Sequence, residues 1–290
     1  MTSSRPALAV LAALAGLSAA APASAHRQWV LPSTAQVEGE NAYVTFDAAV
    51  SEGLFDFDTV PLQLAGLVVT GPDGQAVAPE NLNTGKRRSS FDLKLDKPGT
   101  YRASVVSTSV MASYMLGGEQ KRWRGTEADL TSAIPAGAED VRITRTEARV
   151  ESFVTKGEPT ATALAPIGKG LELVPLTHPT DLLAGTPARF RALIDGKPAP
   201  DLDITVVPGG GRFRAATGDV SLKADAAGEV TVSWPMPGRY WVGASWPRRE
   251  DTPAAAPAVA NGNPPAAPTP RPVQPPRRLT YAATFEVAPF

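Results

Sequence analysis

The chain contains no cysteine. That excludes disulfides, a thiol nucleophile, a lipidated cysteine and thiolate metal ligands, so any metal site must be built from nitrogen and oxygen donors. Histidine is almost as scarce, with two in 290 residues, His26 and His178. A Ser/His/Asp triad would have to recruit one of them, and neither a Gly-x-Ser-x-Gly elbow nor a glycine-rich phosphate loop occurs, which points away from an enzyme. Charge of one sign is missing too: 28 basic against 29 acidic side chains leave a formal net charge of −1. Such a balance argues against polyanion binding and against nucleic acid as a partner. Beyond the first 25 residues no apolar run is long enough to span a bilayer.

Those first residues form a leader. Arg5 supplies a positive start, residues 7–20 an apolar stretch, and Ala23 and Ala25 the small side chains that a signal peptidase reads. Cleavage after Ala25 predicts an exported protein, periplasmic in a Gram-negative source and not inserted in the membrane, whose mature chain begins at His26. Removing 25 of 290 residues leaves 265, which suits two domains.

Twenty-nine prolines and 25 glycines between short β-branched runs predict a mainly β chain of many strands. Residues 43–49, 62–70 and 101–109 read as strands, and Phe91, Leu93 and Leu95 alternate with Asp92, Lys94 and Asp96. Residues 119–135 break the rhythm and read as a short helical insertion, with Thr126 as cap and Asp129 at the third helical position. Extended character returns at 141–155, and then at 171–176, 188–194, 204–208, 220–223, 230–234, 240–246 and 279–287. The Pro-Gly-Arg-Tyr of residues 237–240 repeats the Pro-Gly-Thr-Tyr of residues 98–101. The expectation is two immunoglobulin-like β-sandwich domains, residues 26–160 and 161–290. A Pro/Ala-rich loop, residues 247–278, reads as disordered, and the last strand must return across it to pair with 240–246.

Several segments together resemble one family. They are His26-Arg27-Gln28-Trp29-Val30-Leu31-Pro32, Phe46-Asp47-Ala48-Ala49-Val50-Ser51, the run from Gly170 to Pro179 through Leu173 and His178, Asp195-Gly196-Lys197-Pro198-Ala199-Pro200, Val207-Pro208-Gly209-Gly210 and Pro237-Gly238-Arg239-Tyr240-Trp241. The chain is similar here to the periplasmic proteins grouped as DUF4198. That family is distantly similar to periplasmic components of nickel and cobalt uptake systems and has no established catalytic role. The resemblance implies an accessory that handles a transition metal (nickel, cobalt, copper or iron) for a membrane or outer-membrane uptake component, with metal and mechanism open.

Candidate ligands follow from donor chemistry. An N-terminal histidine offers an α-amine and a ring nitrogen from one residue, and a second imidazole, His178, would give a three-nitrogen set suited to Cu(II) or Ni(II); cobalt is the third candidate ion. The bland alternative leaves His26 merely after a cleavage site and His178 in an exposed Thr-His-Pro turn. Asp47, Glu52, Asp56 and Asp58 supply oxygen donors, interleaved with Phe55 and Phe57 that anchor their loop in the core. Met111 and Met115 could hold Cu(I), though their spacing reads better as core. Two basic clusters, Lys86-Arg87-Arg88 and Lys121-Arg122-Trp123-Arg124, could dock a partner, with Arg122, Trp123 and Arg124 the contact residues. Three readings stand: a metal-handling accessory; a non-catalytic envelope interaction or structural module; and a copper oxidase of the polysaccharide-cleaving kind. The last needs His26 and His178 nitrogens within about 4 Å of each other to share one ion.

Overall fold

The computed structural model describes residues 26–247 and 276–290; residues 1–25, expected to be a leader, and residues 248–275 of the Pro/Ala-rich stretch lie outside the described residues. The chain is mainly β, and its strands form three sheets packed face to face. One sheet has the order Arg27–Pro32, Tyr43–Ser51, Ser89–Lys94, Glu80–Thr84, with Val60–Pro61 against Tyr43–Ser51. A small sheet holds Leu171–Pro175, Ala188–Ile194, Lys197–Pro198 and Glu229–Val232. Between them a ten-stranded sheet runs Val220–Lys223, Asp203–Pro208, Gly238–Trp246, Arg277–Val287, Glu139–Lys156, Gly99–Leu116, Leu67–Thr70, Ala76–Val77, with Glu119–Gly125 against Gly99–Leu116 and Gln36–Val37 against Glu139–Lys156.

Strands from both halves of the sequence therefore share one sheet. The seam is the parallel pairing of Glu139–Lys156 with Arg277–Val287, whose register sets Arg149 beside Tyr281 and Ser152 beside Thr284. The last strand also pairs antiparallel with Gly238–Trp246, as expected from sequence. Because side chains alternate across a strand, the wide sheet feeds two cores. Val150 and Val154 join Phe46, Phe91 and Tyr101 on one side. Phe153, Leu279, Tyr281 and Phe285 join Leu173, Phe190 and Trp234 on the other. The outer sheets thus cover opposite faces of the middle one.

The repeated Pro-Gly-x-Tyr is a tyrosine corner used twice. The Tyr101 hydroxyl donates to the Lys97 carbonyl at 2.7 Å and accepts from the Lys97 N–H at 2.9 Å. Tyr240 does the same with Met236, at 2.7 and 3.3 Å. The glycines before them, at φ of 122° and 139°, occupy backbone that a side chain would strain. Tyr101→Phe and Tyr240→Phe are each expected to cost about 1–2 kcal/mol in urea unfolding, two hydrogen bonds at about 1 kcal/mol apiece; unchanged midpoints would remove the corners from the account of stability.

Two stretches differ from expectation. Of residues 62–70 only Leu67–Thr70 is a strand, since Gly66 sits tight against the Val106 backbone, where a Cβ would lie 1.8 Å from the carbonyl oxygen. Residues 119–125 are not part of a helical insertion but a strand, Glu119–Gly125, hairpinned to Gly99–Leu116 through Gly117-Gly118 at φ of 60° and 80°, a turn open to glycine pairs. The helix is one turn, Leu130–Ala133, and its N-cap is Asp129; Thr126 instead bonds the Asp129 carboxylate at 2.6 Å.

A charged cluster lies buried at the seam. The Glu151 carboxylate, 4% exposed, accepts from Ser104 Oγ at 2.8 Å, Tyr281 Oη at 3.0 Å and Arg149 Nη1 at 3.3 Å, with Arg102 Nε at 3.9 Å. Burial and then the Glu151 charge push the Tyr281 phenol well up, so it stays a donor.

Candidate functional site

The first strand pairs antiparallel with Tyr43–Ser51, Arg27 opposite Ser51 and Pro32 opposite Phe46. Continuing that register one step places His26 across from Glu52. Their side chains meet, Nε2 to Oε1 at 3.4 Å, each about half exposed. The pair stands on a firm base: the buried Trp29 donates from Nε1 to Ser51 Oγ at 2.8 Å, and Phe55 and Phe57 pack on its ring with centroids at 5.5 and 5.7 Å. Arg27 is held by an ion pair to Asp219 and lies over the Trp241 ring.

The other carboxylates do not join them. Asp58 ties its own loop, accepting from the Gly53 N–H at 2.7 Å, the Thr59 hydroxyl at 2.9 Å and the Glu52 N–H at 3.1 Å. Burial works to raise its pKa, but the hydrogen bonds together outweigh it and hold the carboxyl below its usual range. Asp56 accepts from Arg212 Nη1 at 3.0 Å. Asp47 lies about 17 Å of extended strand from Glu52, with Arg88 Nε at 3.4 Å; burial raises its pKa, and Arg88 and Arg239 offset that in part. Each acid therefore has its own structural partner. Among the described residues no three histidine, cysteine, aspartate or glutamate side chains converge on one point.

His178 is engaged elsewhere, neither in a free turn nor near His26. It caps the turn Pro179–Asp181, its Nδ1 2.7 Å from Thr180 Oγ1 and accepting from the Thr180 N–H at 3.2 Å. Its Nε2 lies 3.1 Å from Thr100 Oγ1 and 3.3 Å from the Thr160 carbonyl. Gln36 donates to the Thr180 carbonyl, so His178 sits past the far end of the first strand. Arg27–Pro32 alone spans about 20 Å between the two histidines.

The basic clusters have different fates. Arg87 binds the Asp58 and Thr59 carbonyls, and Arg88 covers the Phe57 ring at 4.7 Å, so this cluster closes the carboxylate loop. Arg122, Trp123 and Arg124 lie on the strand Glu119–Gly125. The pleat sends Trp123, folded over Gly125, to one face and both arginines to the other, so the three present two different faces of the strand. Met111, 38% exposed, shares the arginine face, while Ala112 and Tyr114 are buried on the other; the methionines are not core. The groove beside the site escaped sequence reasoning. It is open, about 730 Å³, and lined by Leu54, Phe55, Asp56, Phe213 and Arg239 among others; only the runs of glycine near Gly209 signal it.

A family profile described as a domain of unknown function, DUF4198, matches residues 23–248. The chain belongs to the DUF4198 family. No curated protein matches the DUF4198 chain. Solved structures similar to it include the D0-D1 domain of intimin, at 11% identity and TM-score 0.20, covering 89% of this chain and 97% of that one. A DUF4785 family protein from Legionella pneumophila follows at 8% and 0.24, covering 74% and 50%. Escherichia coli alpha-2-macroglobulin activated by porcine elastase gives 13% and 0.23, covering 92% and 20%. Superpositions this loose assign no activity.

Proposed function

We propose that this DUF4198 protein is exported, cleaved after Ala25, and binds a divalent transition-metal ion through its new N-terminus as a non-enzymatic, periplasmic accessory to a metal-uptake component of the envelope. The observation that carries the reading is the meeting of His26 with Glu52 at 3.4 Å. Two donors at about 2.1 Å from one ion, an ordinary bond length, stand 3.4 Å apart at an angle near 110°. Cleavage adds the α-amine of His26, which chelates one ion together with its own Nδ1, so a turn of the ring that brings Nδ1 to the Glu52 side would give two nitrogens and an oxygen, a set that suits Cu(II) or Ni(II). Half exposure of both side chains leaves the ion an entry path and an exit to a partner. The ion would be cargo or a signal, and no residue here is assigned a catalytic step.

Isothermal titration with Cu(II) and Ni(II) tests this on three proteins: the chain starting at His26, the same chain with one residue added before His26, and Glu52→Gln. Binding by the first, weakened at least tenfold in the other two, is expected, whereas His178→Ala should bind as the parent does. Equal affinity of the extended chain would overturn the reading. The alternative, a non-catalytic interaction module, is favoured by a separate observation, the exposed Arg122 and Arg124, which form no ion pair among the described residues.

A further inference from the structure

Glu119–Gly125 is an edge strand. It pairs with Gly99–Leu116 on one side, and among the described residues no strand pairs with its other side. About half of the backbone N–H and C=O groups of its seven residues therefore point outward, as on any antiparallel edge. The segment that follows crosses the Trp123 face, where Glu127 forms a two-pronged ion pair with Arg145 at 2.6 and 2.8 Å; Arg145 pairs opposite Val110, as Gly125 does. Lys121 is paired with Glu119. Arg122 and Arg124 are exposed and form no ion pair among the described residues.

We propose that this edge accepts an extended acidic segment of a protein partner as an added β-strand. Main-chain hydrogen bonds would supply the docking, and carboxylates two residues apart on the added strand would face Arg122 and Arg124, about 5 Å across the pair. The same charges argue against a second copy of this chain. An antiparallel pairing of Glu119–Gly125 with itself about its centre puts Arg122 opposite Arg122, with no carboxylate against either arginine. Positive side chains on an edge discourage neutral and basic strands, and an acidic one turns that barrier into attraction. This inference does not depend on the metal reading.

The test uses the chain starting at His26 and a seven-residue peptide alternating glutamate with valine. Expected are saturable binding by fluorescence anisotropy and slowed amide exchange confined to residues 119–125. Affinity should fall at least tenfold in the double variant Arg122→Glu, Arg124→Glu, whose unfolding midpoint should match the parent because both side chains are exposed and form no ion pair among the described residues. N-methylation of alternate peptide residues keeps the charge and removes the edge, and should abolish binding. Absence of binding at millimolar peptide, equal binding of the methylated peptide, or exchange protection elsewhere would each overturn the proposal. So would tighter binding to vesicles of anionic phospholipid than to the peptide, which would make the arginines a membrane contact.

Discussion

Glu151→Ala is expected to cost about 3–5 kcal/mol, a large share of the net stability of about 5–15 kcal/mol of an ordinary domain. Arg102 and Arg149 are 7% and 9% exposed, and among the described residues Glu151 is the one carboxylate that pairs with them. Without it two guanidinium groups stay buried with no counter-charge, and the Ser104 and Tyr281 hydroxyls lose their acceptor. Attraction inside a weakly polar interior offsets desolvation only while both signs are present. Arg149→Met should therefore be much milder, about 1 kcal/mol or less, since it leaves a balanced Arg102–Glu151 pair and fills the space with an apolar chain. Urea unfolding of the two variants measures the contrast. Similar losses in both would mean that the cluster is solvated, and that charge balance is not what stabilises it.

A fragment ending at residue 248, where the family match ends, should fail to fold its second half. It would lack Arg277–Val287, which lies beyond the match yet sits between Glu139–Lys156 and Gly238–Trp246 in the middle sheet. Leu279, Tyr281, Phe285 and Val287 are each at most 3% exposed in one core, and Ala282 packs in the other. At about 1.5–3 kcal/mol for each large side chain, their loss removes about 6–12 kcal/mol, comparable to the entire net stability of a domain. Two long strands would also lose their ladder partner. Circular dichroism and limited proteolysis of residues 26–248 against residues 26–290 decide the matter; protection of Phe190 and Trp234 from cleavage in the fragment would contradict the expectation.

Much of the fold was legible because one-sided burial leaves a period of two. Ser89–Lys94 alternates buried and half-buried throughout, and the repeated tyrosine corner announces its turn by residue type alone. The edge strand was not legible. Lys121-Arg122-Trp123-Arg124 is exposed or half-exposed along its length, so no apolar face marks it, and its state is set by the two-glycine turn and by Gly99–Leu116 beside it. The seam was hidden for the opposite reason: Ala148 to Thr155 is buried on both faces, which blurs alternation, and charged residues at inward positions read as surface. At the site, donor chemistry singled out His26 and Glu52 separately. Their meeting follows from the pairing of Arg27 with Ser51, a register that residue types do not encode. His178 failed as a partner because threonines from three segments, Thr100, Thr160 and Thr180, already surround its ring.

The position of the seam strand also orders events in time. Thirty residues separate Trp246 from Arg277, about 2–6 s of synthesis at ordinary elongation rates. Without the later strand, Glu139–Lys156 and Gly238–Trp246 are two ladders with an empty slot between them. Neither core can close until Arg277–Val287 enters that slot. Closure of the sheet is consequently the last step of assembly, and both cores stay unfinished until it happens.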